Sequence, residues 1–113
     1  MIAHVVLFKP RSDLPAEERD ALIGSFERAL REIPFITRAR VGARVTHGRP
    51  YEALMRVDYQ YAAVLEFDGL PSLKAYLEHP AHAELAARFF TAFEQALMYD
   101  FELTEHPSAL PPA

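Results

Sequence analysis

The sequence predicts an α+β domain with a ferredoxin-like β-α-β-β-α-β order, in which a four-stranded antiparallel sheet carries its helices on one face. Three observations predict it. Four segments carry β-branched and aromatic residues at strand spacing. Apolar stripes at helical spacing separate the first from the second and the third from the fourth, and Pro, Gly and Asp punctuate each change of period.

Ile2 to Phe8 reads as the first strand, closed by Lys9-Pro10. Its two faces are both apolar, with Ala3, Val5 and Leu7 on one and Ile2, His4, Val6 and Phe8 on the other. A strand with one face in water would alternate with polar residues, so both faces must be covered. Ser12-Asp13 and then Leu14-Pro15 mark a helix start, with Glu17 and Glu18 favourably placed at the positive end of its dipole. Leu22, Phe26, Ala29, Leu30 and Ile33 form its buried stripe, and Pro34 ends it.

Phe35 to Thr46 alternates loosely as a second strand, and His47-Gly48-Arg49-Pro50 closes it as a turn. Tyr51 to Asp58 reads as a loop or a lone helical turn. Tyr59 to Phe67 is the third strand, with Tyr59, Tyr61, Ala63, Leu65 and Phe67 on one face, stopped by Asp68-Gly69. A short helix carrying Leu73, Tyr76 and Leu77 is interrupted at Pro80. A longer one follows with Leu85, Phe89, Phe93 and Leu97 at four-residue spacing. Around Met98 the period drops to two, giving a fourth strand with Tyr99, Phe101 and Leu103 on one face. Residues 1–104 are therefore expected to be one domain and residues 105–113 a proline-rich tail.

Composition narrows the function classes. The chain has 113 residues, half of them hydrophobic, which is ordinary for one folded domain. A formal charge of -4, with the cations scattered among acids, gives no footprint for nucleic acid. Without cysteine there is neither a disulfide framework nor a thiolate metal site. The apolar N-terminal run lacks a basic flank and is too short for a signal peptide. No stretch approaches the roughly 20 apolar residues of a membrane helix. A cytoplasmic protein with no membrane partner is expected. Helices on one face leave the other face of the sheet bare, so the second apolar face of strand one calls for a second copy, a homodimer joined through the open sheet.

The candidate chemistry gathers around the helix break, Tyr76-Leu77-Glu78-His79-Pro80-Ala81-His82, and at His4 on strand one. Pro80 fixes the first turn of a new helix, so His79 and His82 flank its start. The positive end of the helix dipole disfavours an imidazolium there and keeps a neutral base available near pH 7. Such a base could take a proton from an acidic C–H or O–H, while Tyr76 donates a hydrogen bond to the oxygen that gathers charge. The plainer readings are that His79 caps the turn, that His4 and His82 are satisfied core histidines, and that Tyr76 packs. His47 and His106 lie in a turn and the tail and receive no role. Three histidines, two of them spaced i, i+3 across a proline, do not make a standard metal set, and no cofactor motif is present. No metal or cofactor is expected.

The opening Met1-Ile2-Ala3-His4-Val5-Val6-Leu7-Phe8, the stretch Tyr61-Ala62-Ala63-Val64-Leu65-Glu66-Phe67 and, above all, Tyr76-Leu77-Glu78-His79-Pro80-Ala81-His82 resemble the stress-responsive dimeric α/β-barrel (Dabb) family. The resemblance covers residues 1 to about 104 and implies a ferredoxin-like homodimer. It extends to a plant polyketide cyclase of the family, which closes its substrate by cofactor-free aldol chemistry. By that resemblance His82 is the catalytic base, Tyr76 its partner and His4 a cavity histidine. Where the cyclase has a further histidine on strand three, this chain carries Tyr61. Phe8, Tyr61, Ala63 and Phe89 are accordingly expected to line a site for a small apolar or aromatic ligand. Cofactor-independent monooxygenases that share the dimeric barrel lean on Asn and Trp, and this chain has neither. Two readings stay open: cofactor-free acid/base chemistry (aldol cyclisation, isomerisation or lyase type) on a carbonyl compound, or a non-catalytic binding or stress-related homodimer.

Overall fold

The computed structural model describes residues 1–113. The order is β1 (Ile2–Pro10), α1 (Ala16–Glu32), β2 (Arg38–Ala43), β3 (Tyr61–Phe67), α2 (Leu70–Glu78), α3 (Pro80–Ala92) and β4 (Phe93–Glu102), with short 3-10 turns at Pro50–Leu54 and Pro107–Ala109. The four strands form one antiparallel sheet in the order β2-β3-β1-β4. This is the ferredoxin-like architecture that the alternation of periods predicts.

Local chemistry sets most boundaries. Pro15 occupies the N-cap of α1 with no side-chain cap, so the helix opens one residue later than a proline inside the first turn implies. Asp13 instead reaches Arg11 at 3.3 Å. Ile33 takes extended dihedrals ahead of Pro34 and closes the helix, as the restriction before proline requires. β2 is shorter than the alternation over Phe35 to Thr46 suggests, because the ladder register with β3 runs only from Arg38 to Ala43. In the turn that follows, Gly48 is the one residue with positive φ (85°), a conformation that costs glycine nothing.

One boundary differs in kind. Phe93 and Leu97 continue the four-residue spacing of Leu85 and Phe89, yet α3 ends at Ala92 and both residues lie in β4. The reason is a competing partner. β4 pairs with β1 along its whole length, Phe93 opposite Pro10 across a register irregularity, and the Arg11 N–H donates to the Ala92 carbonyl at 2.9 Å. The Phe89–Phe93 ring contact, with centroids 4.8 Å apart, survives the change of backbone.

The core lies between sheet and helices. Ala63, Leu65 and Phe67 on the inner face of β3 meet Ala29 and Ile33 of α1, Leu73 and Tyr76 of α2, and Ala81 and Leu85 of α3. Phe67 and Leu65 are the largest fully buried side chains. Register places Ala3, Val5 and Leu7 of β1, Ala62 and Val64 of β3, and Leu97, Tyr99 and Phe101 of β4 on the opposite face. That face is uncovered: Tyr99 and Phe101 are 57% and 52% exposed. Only 13 of 113 residues are buried, and the radius of gyration, 15.5 Å, exceeds the about 13 Å of a compact chain this long. Both figures fit a molecule built on one side of its sheet. No helix is long and apolar enough to cross a membrane.

Candidate functional site

A cavity of about 530 Å³ opens between the inner face of the sheet and the helices, within the usual range for small-molecule sites. Its floor comes from even-numbered residues of β1 (His4, Val6 and Phe8) with Ala63 and Leu65 of β3. Leu22, Phe26 and Leu30, successive i, i+4 positions of α1, form one wall. Leu85 and Phe89 of α3 form the other, and Phe89 meets Phe8 edge-on at 5.3 Å between centroids. Aliphatic and aromatic groups make up most of the lining.

His4, Tyr76 and His82 converge on this lining. The spacing of Tyr76 and His82 comes from the helix break. His79 is both the last cap of α2 and the N-cap of α3, its Nδ1 accepting from the Ala81 N–H at 3.0 Å. An accepting Nδ1 carries no proton, so His79 serves the turn, and it does not line the cavity. Pro80 then starts α3 and presents His82 beside Tyr76, with ring centroids 4.7 Å apart in an edge-on arrangement. Tyr76 also lies 6.0 Å from His4 and 5.2 Å from Phe67.

The electrostatics of the three groups differ. Burial pushes the Tyr76 phenol up to about 12, so it keeps its proton and acts as a donor. Burial, and next the positive charge that His4 can carry, hold the His82 imidazole below its ordinary value, while a hydrogen bond to the Leu77 backbone partly opposes them. His82 is therefore neutral at pH 7 and has a lone pair to offer. His4, 9% exposed, brings its Nδ1 to 2.6 Å from the Asp100 carboxylate, its cross-strand partner on β4. Nδ1 donates to that carboxylate, which leaves Nε2 as the ring nitrogen outside the pair.

The sequence-predicted residues therefore fall into two groups. His4, Phe8, Ala63, Tyr76, His82 and Phe89 share the cavity. Tyr61 does not: its ring stacks against Phe8 at 5.4 Å, and it lines a smaller cavity with Leu7, Met55 and Tyr59. Sequence reasoning missed Asp100, whose position in the polar register of β4 was legible but whose pairing with His4, 96 residues away, was not. It also missed Glu27, the one carboxylate on the cavity lining. No group of three or more His, Cys, Asp or Glu side chains is placed to hold a metal ion.

Comparison with known proteins follows the same architecture. Residues 2–103 match the family described as Stress responsive A/B Barrel Domain, Dabb. No match is found among curated proteins. Among solved structures, the protein At3g17210 from Arabidopsis thaliana is 21% identical with a TM-score of 0.75, over 94% of this chain and 98% of that one. A hydroxynitrile lyase from Passiflora edulis is 19% identical with a TM-score of 0.77, over 93% of this chain and 94% of the lyase. A dimeric protein of unknown function with a ferredoxin-like fold, from Bacteroides fragilis, is 29% identical with a TM-score of 0.64, over 90% and 95% of the two chains. At such identities the likenesses speak for the fold, and the match that spans nearly the whole chain speaks for the lineage: this chain belongs to the Dabb, or stress responsive A/B barrel domain, family.

Proposed function

We propose that this protein is a homodimeric enzyme that performs cofactor-free acid/base chemistry on a carbonyl-bearing small molecule. The observation that carries the reading is the convergence of His4, Tyr76 and His82 on one largely apolar cavity. In the proposed step the neutral His82 imidazole takes a proton from the carbon next to a carbonyl. The electron pair left behind moves into the carbonyl, and the oxygen gains negative charge. The Tyr76 phenol, which keeps its proton, donates a hydrogen bond to that oxygen. Asp100 holds His4 by Nδ1, which leaves Nε2 to contact the ligand. Return of the proton from His82 to a different atom gives isomerisation; attack of the carbanion on a second carbonyl, whose oxygen then takes the proton back from His82, gives aldol closure. The Passiflora edulis relative, a hydroxynitrile lyase, is an enzyme on this scaffold, which supports a catalytic use of the fold without lending its substrate.

Exchange of carbon-bound hydrogen in deuterium oxide tests the step without a known substrate. Wild-type protein is expected to speed exchange beside the carbonyl of aryl ketones and β-diketones, followed by proton NMR, and His82→Gln to lose that activity. Binding of the same compounds with no exchange would turn the assignment to the second reading, a non-catalytic binding dimer, which the apolar lining favours because it holds a ligand without any base.

The dimer rests on the uncovered apolar face of the sheet and on relatives of this fold described as dimeric. Val5, opposite both Val64 and Tyr99, sits in the middle of that face. Val5→Asp is expected to convert a species of twice the chain mass into a folded monomer in sedimentation velocity, because two buried carboxylates would face the interface. A wild-type chain that sediments as a monomer at tens of micromolar would remove the dimer from the proposal.

A further inference from the structure

The mouth of the cavity carries a feature that the acid/base reading does not use. Ile23 and Glu27 stand one turn apart on α1, beside the inner row of Leu22, Phe26 and Leu30. Across the opening, Leu77 of α2 and Phe90 of α3 line the cavity yet are 39% and 60% exposed, as Ile23 is 41% exposed. These residues mark a rim between α1 and the α2–α3 pair, and Glu27 is its only charged member. No Lys or Arg lines the cavity. The neighbouring Arg28 spans from α1 to α3, engaged with Glu32 and Glu84 at 3.1 Å each, and does not line the cavity. The Glu27 carboxylate is left without an ion-pair partner at the entrance of an apolar chamber.

We infer that Glu27 sets the charge selectivity of this cavity, admitting uncharged or amine-bearing carbonyl compounds and rejecting carboxylates. The inference rests on the reading of the cavity as a substrate site. An anionic ligand entering here gives up water for aliphatic and aromatic walls and meets a like charge at the rim, with no Lys or Arg on the lining to compensate. A neutral ligand of the same shape loses less solvation and meets no like charge. An ammonium tail can stay at the rim, hydrated and beside Glu27. Because the carboxylate is exposed, solvent and salt temper its field, so the discrimination is expected to be about tenfold, equivalent to about 1.4 kcal/mol, and to shrink as ionic strength rises.

Three isosteric probes test it: the para-acetyl derivatives of phenylbutanoate, phenylbutanamide and phenylbutylamine, with dissociation constants from ligand-observed NMR at pH 7. Wild-type protein is expected to bind the amide and the amine about tenfold more tightly than the acid. Glu27→Gln is expected to bring the three within about threefold of one another, and Glu27→Arg to prefer the acid. Glu27 is solvent-exposed on a helix, so neither change threatens folding, and far-UV circular dichroism confirms it. An acid-to-amide ratio that stays the same in wild type, Glu27→Gln and Glu27→Arg overturns the role of Glu27 while leaving the cavity a binding site. Failure of all three probes to bind wild type overturns both this inference and the substrate-site reading beneath it.

Discussion

His82→Gln is expected to lower kcat/KM for the proton-transfer reaction by about 10²–10⁴-fold, the usual contribution of a positioned general base. The amide keeps a donor for the Leu77 backbone and most of the ring's volume but offers no basic nitrogen, so the loss should fall on turnover with the melting temperature little changed. The pH profile separates a base from a merely placed ring. Burial and the nearby His4 hold His82 below its ordinary value of 6.5, so wild-type kcat/KM should rise with pH to a midpoint under 6.5 and stay level through neutrality. The phenol of Tyr76, at about 12, adds no falling limb in that range. Residual activity in the variant should lack the acid limb. An unchanged kcat/KM in His82→Gln would remove the base from the mechanism.

The same shift acts on stability. The unfolded chain binds a proton at this imidazole as pH falls through 6.5, whereas the folded chain does so only at lower pH. His82 therefore contributes stability that is fully present above 6.5 and is lost as pH falls toward its folded value. Wild type should lose more melting temperature than His82→Gln between neutral pH and that lower value.

Phe67→Ala is expected to destabilise the fold by about 3–5 kcal/mol, enough to lower the melting temperature by well over 10 °C or to prevent folding. Phe67 is 0% exposed, in the core where β3 meets α1, α2 and α3, so truncation to alanine leaves a cavity there. Phe67→Leu keeps more of the volume and should cost about 1–2 kcal/mol. Because the Phe67 ring lies 5.2 Å from that of Tyr76, the milder variant should remain folded yet turn over more slowly, the tyrosine being less firmly placed. Thermal denaturation and the exchange assay read the two effects separately. Full activity in Phe67→Leu would show that Tyr76 needs no support from that side.

Residues that report their surroundings locally made most of this legible. The two apolar faces of Ile2 to Phe8 announced a sheet with cover on one side and demand for cover on the other, and the register confirms which residues lie on each. The Tyr76-to-His82 segment announced a helix break, because Pro80 can only begin a helix there. What stayed hidden depended on partners distant in sequence. Phe93 and Leu97 satisfy helical and strand spacing equally, and only the free edge of β1 decides between them. Asp100 looks like any solvent-facing strand residue until the β1–β4 register sets it against His4. Tyr61 shares a face with Ala63, but its position at the start of β3 takes it past the end of the cavity and onto Phe8. A face can be read from spacing; a distance along it needs the register.

The double duty of His79 has a consequence for how this scaffold accommodates change. Because one residue ends α2 and begins α3, the separation between Tyr76 and His82 is set by the stereochemistry of seven consecutive residues, like marks on a ruler. The residues that size the chamber, Phe26, Ala63 and Phe89 among them, belong to other segments or to later turns of α3. Volume and shape can therefore be altered at those positions while the phenol and the imidazole keep their mutual spacing. A chamber of this construction can exchange one ligand for another without rebuilding the pair that would act on it.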